Sequence, residues 1–278
     1  MYKNLIDAIR NDFLFFDVYI NQNCNLNCNS CIRCAPLFEY KEYPLDIFER
    51  DLKRLSEMSL RMICSINGGE PLLNKHLFDY LKLSVKYCEQ TYLNTNGILI
   101  PVISKEVLKF ISKNSIQVFF TEYPVYNTEK VIKILEDNDI QYFRMSYSLK
   151  DLFSNSGKLM FQYNRLSESR CNQNYAYNNC RECGGALYFG KFFQCGKPLI
   201  AKKLNETFGT NFEIEDSDYL DIFKIHSIDD FNKFRLRSKH FCGYCKDKIR
   251  PIKQNTFEWT KKHKDLKSEF IESKQFKT

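Results

Sequence analysis

Short apolar runs alternate along the first half of the chain with segments whose apolar positions recur at helical spacing. The runs predict strands over Phe13 to Ile20, Met62 to Ile66, Gln90 to Asn94, Ile116 to Thr121 and Gln141 to Ser146, with a sixth near Leu159 to Tyr163. Between them Leu45, Phe48, Leu52 and Leu55 fall on one helical face, as do Phe78, Leu81, Val85 and Cys88, and later Val131 and Leu135. Strand and helix in alternation build a parallel sheet, so the fold class is α/β. Past residue 165 the periodicity changes. A hairpin is expected from Ala186 to Phe189 and Lys191 to Cys195 with Gly190 at the turn, and a helical segment from Ile228 to Leu236. No internal repeat or low-complexity linker is present. The expected division is a strand-helix region over 1–165, a cysteine-bearing region over 166–250 and a basic tail over 251–278.

Composition narrows the class. A chain of 278 residues, 44% hydrophobic and 15% aromatic, can bury a full core. No stretch approaches the roughly 18 apolar residues of a membrane span, and Asp17 interrupts the run from Phe13 to Ile20. The N-terminus has neither a continuous apolar stretch nor a small-residue cleavage site, which leads us to expect a cytoplasmic protein. Twelve cysteines in such a chain argue for metal thiolates over disulfides. The net charge of +7 is spread along the sequence, with an excess in Lys261 to Lys277. There Lys is mixed with Glu and Asp and few aromatic residues intervene, which favours a solvated end over a nucleic-acid arm.

Cys24, Cys28 and Cys31 stand in the string CNLNCNSC, a C-x3-C-x2-C triplet just after the first predicted strand. Three thiolates on one tight loop suit three corners of an iron-sulfur cube, whereas tetrahedral zinc wants a fourth ligand and usually paired C-x2-C units. Gly68-Gly69-Glu70-Pro71 follows the second strand and Leu93-Asn94-Thr95-Asn96-Gly97 ends the third. In these three segments the chain resembles the radical S-adenosylmethionine (radical SAM) superfamily. The resemblance implies a partial (β/α)6 TIM-like barrel with motifs at strand C-termini, and a 4Fe-4S cluster on Cys24, Cys28 and Cys31 whose free iron binds SAM. It further implies SAM contacts from Gly68, Gly69, Glu70, Asn94, Thr95 and Asn96. Glycines let a backbone approach a ligand, and the Glu70 carboxylate suits an ammonium. The residue before the third cluster cysteine, usually aromatic in the family, is Ser30 here, so adenine contacts fall to other groups.

The remaining cysteines gather near the C-terminus. Cys180, Gly190 and Cys195 make C-x9-G-x4-C, and Cys242-Gly243-Tyr244-Cys245 adds a C-x2-C. This resembles the small Twitch subdomain, a shortened relative of SPASM, which holds one auxiliary 4Fe-4S cluster. Its four ligands would come from five candidates: Cys183, Cys195, Cys242 and Cys245, with Cys180 as rival to Cys183. The nine-residue spacing favours Cys180; hairpin pairing, which sets Cys183 nearly opposite Cys195, inclines us to Cys183. A structural zinc site on the same thiolates is the alternative. Cys64 and Cys88 fall on apolar faces and suit buried small hydrophobes. Cys34 and Cys171 are expected to be structural, and His76 and His240 ordinary hydrogen-bonded groups.

Within the superfamily, the context CNLNCNSCIRCAPL and the later FCGYC resemble proteins of bacterial surface-polysaccharide and other biosynthetic gene clusters. The implied chemistry is reductive cleavage of SAM to a 5′-deoxyadenosyl radical, which takes hydrogen from substrate. A four-cysteine auxiliary cluster cannot chelate substrate, which points to electron transfer and so to oxidation, dehydrogenation or epimerisation of a small polar metabolite, a sugar or sugar nucleotide among the candidates. An external one-electron donor such as flavodoxin or ferredoxin is then required. Peptide maturation is the second reading, weakened because only 23 residues precede Cys24, too few for a leader-binding module. A zinc-stabilised binding module is the third. Thr121, Glu122, Tyr123 and Arg144 stand where strands end and are candidates for substrate contact.

Overall fold

A computed structural model of the chain describes residues 13–26, 31, 33–58, 60–123, 126–145, 166–178, 180 and 184–245. Strands β1 (Leu14–Tyr19), β2 (Met62–Asn67), β3 (Gln90–Thr95), β4 (Gln117–Thr121) and β5 (Tyr142–Met145) form an open parallel sheet in the order β5-β4-β3-β2-β1. Each agrees with its predicted strand to within a residue or two. The sixth, near Leu159 to Tyr163, lies outside the described residues.

Helices α1 (Leu45–Ser56), α2 (Leu77–Tyr87), α3 (Lys105–Lys113) and α4 (Thr128–Asp137) return the chain between parallel strands. They cover one face of the sheet, where Phe16, Val18, Cys64, Ile66, Leu93, Val118 and Phe120 meet Phe48, Leu52, Leu55, Leu81, Ile111, Val131 and Leu135 in one core. Phe48, Leu52 and Leu55 are wholly buried, each contributing about 2 kcal/mol through loss of water contact. Cys64 and Cys88 are buried in the same core, as expected. On α2 Leu81 and Cys88 are buried and Val85 packs against the core, as expected, and Leu77, Tyr80 and Ser84 are buried beside them. Phe78 packs edge-on against Phe110 of α3, with ring centroids 5.2 Å apart. The hydroxyls of Ser84 and Thr91 bond each other at 2.8 Å beneath the helix.

The hairpin forms as predicted, from β6 (Ala186–Tyr188) and β7 (Lys191–Phe193), and the turn places Gly190 at φ 74°. It is not a free-standing flap. β6 runs parallel to β1, Ala186 opposite Asp17, and β7 pairs with β8 (Tyr219–Asp221), so one sheet continues from β5 through β1 to β8. Helix α1 fastens this extension. The buried Asp51 carboxylate accepts from Gly190 N at 2.5 Å and from Tyr43 Oη at 2.6 Å, and Arg54 donates to the carbonyls of Ile222 and Ile225. Helices α5 (Gln173–Asn178), α6 (Lys197–Phe208) and α7 (Ile228–Arg235) complete the C-terminal region. No helix among the described residues is long and apolar enough to cross a membrane.

Candidate functional site

The three family-like segments meet at the C-terminal ends of β1, β2 and β3. The stretch after β1 folds back over the turn after β2: Asn21 O accepts from Gly69 N at 3.0 Å and Asn23 O from Glu70 N at 2.9 Å. The glycines have a plain steric role here. A Cβ on Gly69 would stand 2.2 Å from Asn23 O, and one on Gly68 would stand 2.7 Å from Asn21 O. Asn21, wholly buried, donates its amide to Glu70 O at 3.0 Å and to Asn23, while its own Oδ1 has no partner among the described residues.

Glu70 points inward, not toward the open side. Its carboxylate is wholly buried and accepts from Thr95 Oγ1 and Asn96 N, each at 2.7 Å, and from Leu72 N at 3.0 Å. Burial outweighs those three donors and pushes the carboxyl up to about 7. Asn96 then reaches the cysteine loop, its Nδ2 lying 3.7 Å from Cys24 Sγ and 2.7 Å from Asn25 Oδ1. Leu26 N also points at Cys24 Sγ, at 3.4 Å. Asn94 lies on the opposite side of β3 from Thr95, bonded to Ser65 Oγ at 2.7 Å. Thus Cys24, Glu70, Thr95 and Asn96 form one connected group, with Gly68 and Gly69 packed beneath it.

Cys28 lies outside the described residues. Cys24 and Cys31 are half-buried and interact electrostatically, and burial pushes the Cys24 thiol up to about 12. Burial also raises Cys31, against backbone N–H groups of Ala35, Arg33 and Cys34 that favour its thiolate. These donors gather where Cys34 takes a left-handed conformation, φ 51°, ahead of the short helix Ala35–Leu37. Sulfur atoms shielded from water yet supplied with N–H donors suit cluster thiolates, so the residues present fit an iron-sulfur group.

In the C-terminal region Cys180, Cys195, Cys242 and Cys245 line one cavity with Lys197 and Lys239. Cys183 lies outside the described residues. Burial raises both Cys195 and Cys242, opposed by backbone hydrogen bonds at Lys197 and Lys239 respectively. Cys171 is turned onto backbone, 2.7 Å from Cys245 O, in keeping with the structural role expected of it. Cys34 is buried in a second core that joins Cys31, Leu37 and Phe38 of the first loop to Ala201, Leu204, Phe241 and Tyr244. The two cysteine groups therefore share a wall.

The strand-end candidates separate. Thr121 ends β4, but Arg144 lies in register with the core residue Phe120, on the helix-covered side, and pairs with Glu122 at 2.7 Å and Glu129 at 3.9 Å. Sequence reasoning passed over Tyr19, Asn21, Asn23, Arg33 and Asn67. Of these only the neighbourhood of Asp17 carried a signal, a charge within an apolar strand; the others become visible once the strands are in register.

No family model matches the chain. It is 31% identical over 108 residues to GTP 3',8-cyclase of Heliobacterium modesticaldum, covering 37% of this chain and 33% of that protein. It is likewise 31% identical over 110 residues to GTP 3',8-cyclase of Helicobacter pylori, covering 38% and 34%. These matches span about a third of the relatives' own length. The fold is similar to that of BtrN in complex with AdoMet and 2-DOIA, with TM-score 0.53 at 18% identity, covering 86% of this chain and 98% of that one. With the motifs above, the sequence matches support a likeness to the radical SAM superfamily over about a third of the chain, and the structural match shows a shared fold.

Proposed function

We propose that this radical SAM superfamily chain takes a hydrogen atom from a small polar metabolite in an oxidation, dehydrogenation or epimerisation, served by a second 4Fe-4S cluster in electron transfer. The observation that carries the reading is Asn96, whose backbone N–H is held by Glu70 while its side-chain amide reaches Cys24. One residue thereby couples all three motifs. With SAM, a cluster on Cys24, Cys28 and Cys31 supplies reductive cleavage of the sulfonium and a 5′-deoxyadenosyl radical. The chain's own groups prepare the place: N–H donors stabilise the thiolates, Gly68 and Gly69 bring the loop against β2, and Glu70 fixes the end of β3 through Thr95 and Asn96, the segment that would border a bound SAM. A one-electron donor such as flavodoxin or ferredoxin is the expected partner.

For the auxiliary cluster, Cys180, Cys195, Cys242 and Cys245 share one cavity and are the proposed ligands, while Cys183, the rival to Cys180, lies outside the described residues. Among the described residues no three Cys, His, Asp or Glu side chains converge closely enough to hold one metal ion. A structural zinc site on the same thiolates is the alternative for this cavity. GTP cyclisation is the second reading, favoured by the identity to GTP 3',8-cyclases over about a third of the chain.

Anaerobic reconstitution tests this. Wild type should carry about eight irons per chain and form 5′-deoxyadenosine with dithionite and SAM, and the Cys24, Cys28, Cys31 triple alanine variant should lose that activity and about four irons. Cys180→Ala should lose about four irons while Cys183→Ala keeps all. The reverse pair of counts would assign Cys183, and zinc without SAM cleavage would sink the whole reading.

A further inference from the structure

The face of the sheet opposite the helices carries a polar layer that the SAM-binding segments leave unused. Tyr19 of β1 lies in register with Asn67 of β2, and Asn94 of β3 is level with Asn67, with Asp17 and Ser65 one step below. Asn67 Nδ2 donates to Asp17 Oδ1 and to Ser65 Oγ, both at 2.8 Å, and Asn94 Nδ2 meets Ser65 Oγ at 2.7 Å. Arg33 reaches in from the cysteine loop and donates to Asp17 Oδ2 at 2.9 Å and to the Tyr19 hydroxyl. Asn67 adjoins Gly68 and Asn94 adjoins Thr95, so the layer borders the groups assigned to SAM.

The chemistry of this layer is restrictive. A carboxylate can only accept, so Asn67 must turn its NH2 toward Asp17 and its carbonyl oxygen toward the open side, where no described residue bonds it. The Ser65 hydroxyl can accept from Asn94 or donate to it, which leaves Asn94 free to offer either end of its amide. Arg33 is neutralised by Asp17, so the layer has no excess positive charge.

We infer that Asn67 and Asn94 bind the substrate and select an uncharged, hydroxyl-bearing small molecule over a nucleotide or other phosphate ester. The inference rests on the radical SAM reading above and deepens it. A hydroxyl can donate to Asn67 and either accept from or donate to Asn94; a phosphate oxygen only accepts, would face the Asn67 oxygen unfavourably, and finds its natural partner Arg33 already paired. Asn94 is thereby assigned to substrate instead of SAM.

The test is equilibrium dialysis of the full-length reconstituted protein with SAM against a low-molecular-weight cell extract, with mass spectrometry of what the protein retains. Wild type should enrich an uncharged polyhydroxy compound, and Asn67→Leu and Asn94→Leu should each lower that enrichment about tenfold. Among the described residues the Asn94 side chain bonds Ser65 alone, so its variant keeps the comparison readable if loss of the Asn67 to Asp17 bond unfolds the protein. Enrichment of phosphorylated compounds, enrichment unchanged in Asn94→Leu, or no enrichment at all overturns the inference. A parallel 5′-deoxyadenosine assay without extract separates the two claims, because its failure alongside the expected enrichment indicts the SAM chemistry and leaves the substrate class standing.

Discussion

Glu70 is the residue on which the candidate site turns. Its carboxylate is buried and holds the backbone of Asn96, which in turn presents an amide to Cys24. Because burial raises its folded-state value to about 7, above the unfolded value, the native state holds the proton where the unfolded state has lost it. The associated stability is fully present below the unfolded value, near 4.3, and is lost as pH rises toward about 7. Urea unfolding of the metal-free protein should therefore show wild type losing more stability between pH 5 and pH 8 than Glu70→Gln, which cannot titrate. Equal losses would mean that Glu70 is ionised throughout. GGEP was legible in the sequence as a motif; that its glutamate braces a neighbouring turn was not, since that depends on Thr95 and Asn96 arriving beside it.

Among the elements, α1 does more than cover the sheet. Its buried Asp51 joins Tyr43 to the Gly190 turn, so the helix that follows the first cysteine loop also fixes the hairpin far along the chain. Asp51→Ala leaves a buried N–H and a buried hydroxyl without their acceptor and should lower stability by about 3 kcal/mol in urea melts. A loss under about 0.5 kcal/mol would show that the hairpin is held by pairing to β1 alone. The amphipathic pattern of α1 was legible from Phe48, Leu52 and Leu55, and that of α2 from Leu81 and Cys88, while the burial of Tyr80 and Ser84 was not. Its polar Ser84 turns inward to bond Thr91, and hydrophobic periodicity is blind to a buried hydroxyl pair.

At the scale of the molecule, Tyr19 and Arg33 link the two cysteine regions. Gly196, directly after Cys195, lies against both: a Cβ there would stand 2.2 Å from the Tyr19 hydroxyl and 2.9 Å from Arg33 Nη1. Gly196→Ala should accordingly destabilise by about 2 kcal/mol, and a smaller penalty in the Tyr19→Phe background, differing by at least about 1 kcal/mol, would reveal the contact in a double-mutant cycle. Strict additivity would show that the two regions do not press on each other there.

The sequence by itself determined five strands of the parallel sheet, most helical faces and the hairpin turn, because periodicity and turn chemistry are local properties written within a few residues. Only the tertiary structure decided that the hairpin would extend the sheet beside β1, that Cys180 would share a cavity with Cys195, Cys242 and Cys245, and that Asp17, Arg33, Asn67 and Asn94 would meet. Those outcomes depend on strand register, on which face a side chain takes and on close backbone approach between residues far apart in the chain, and no local pattern encodes them.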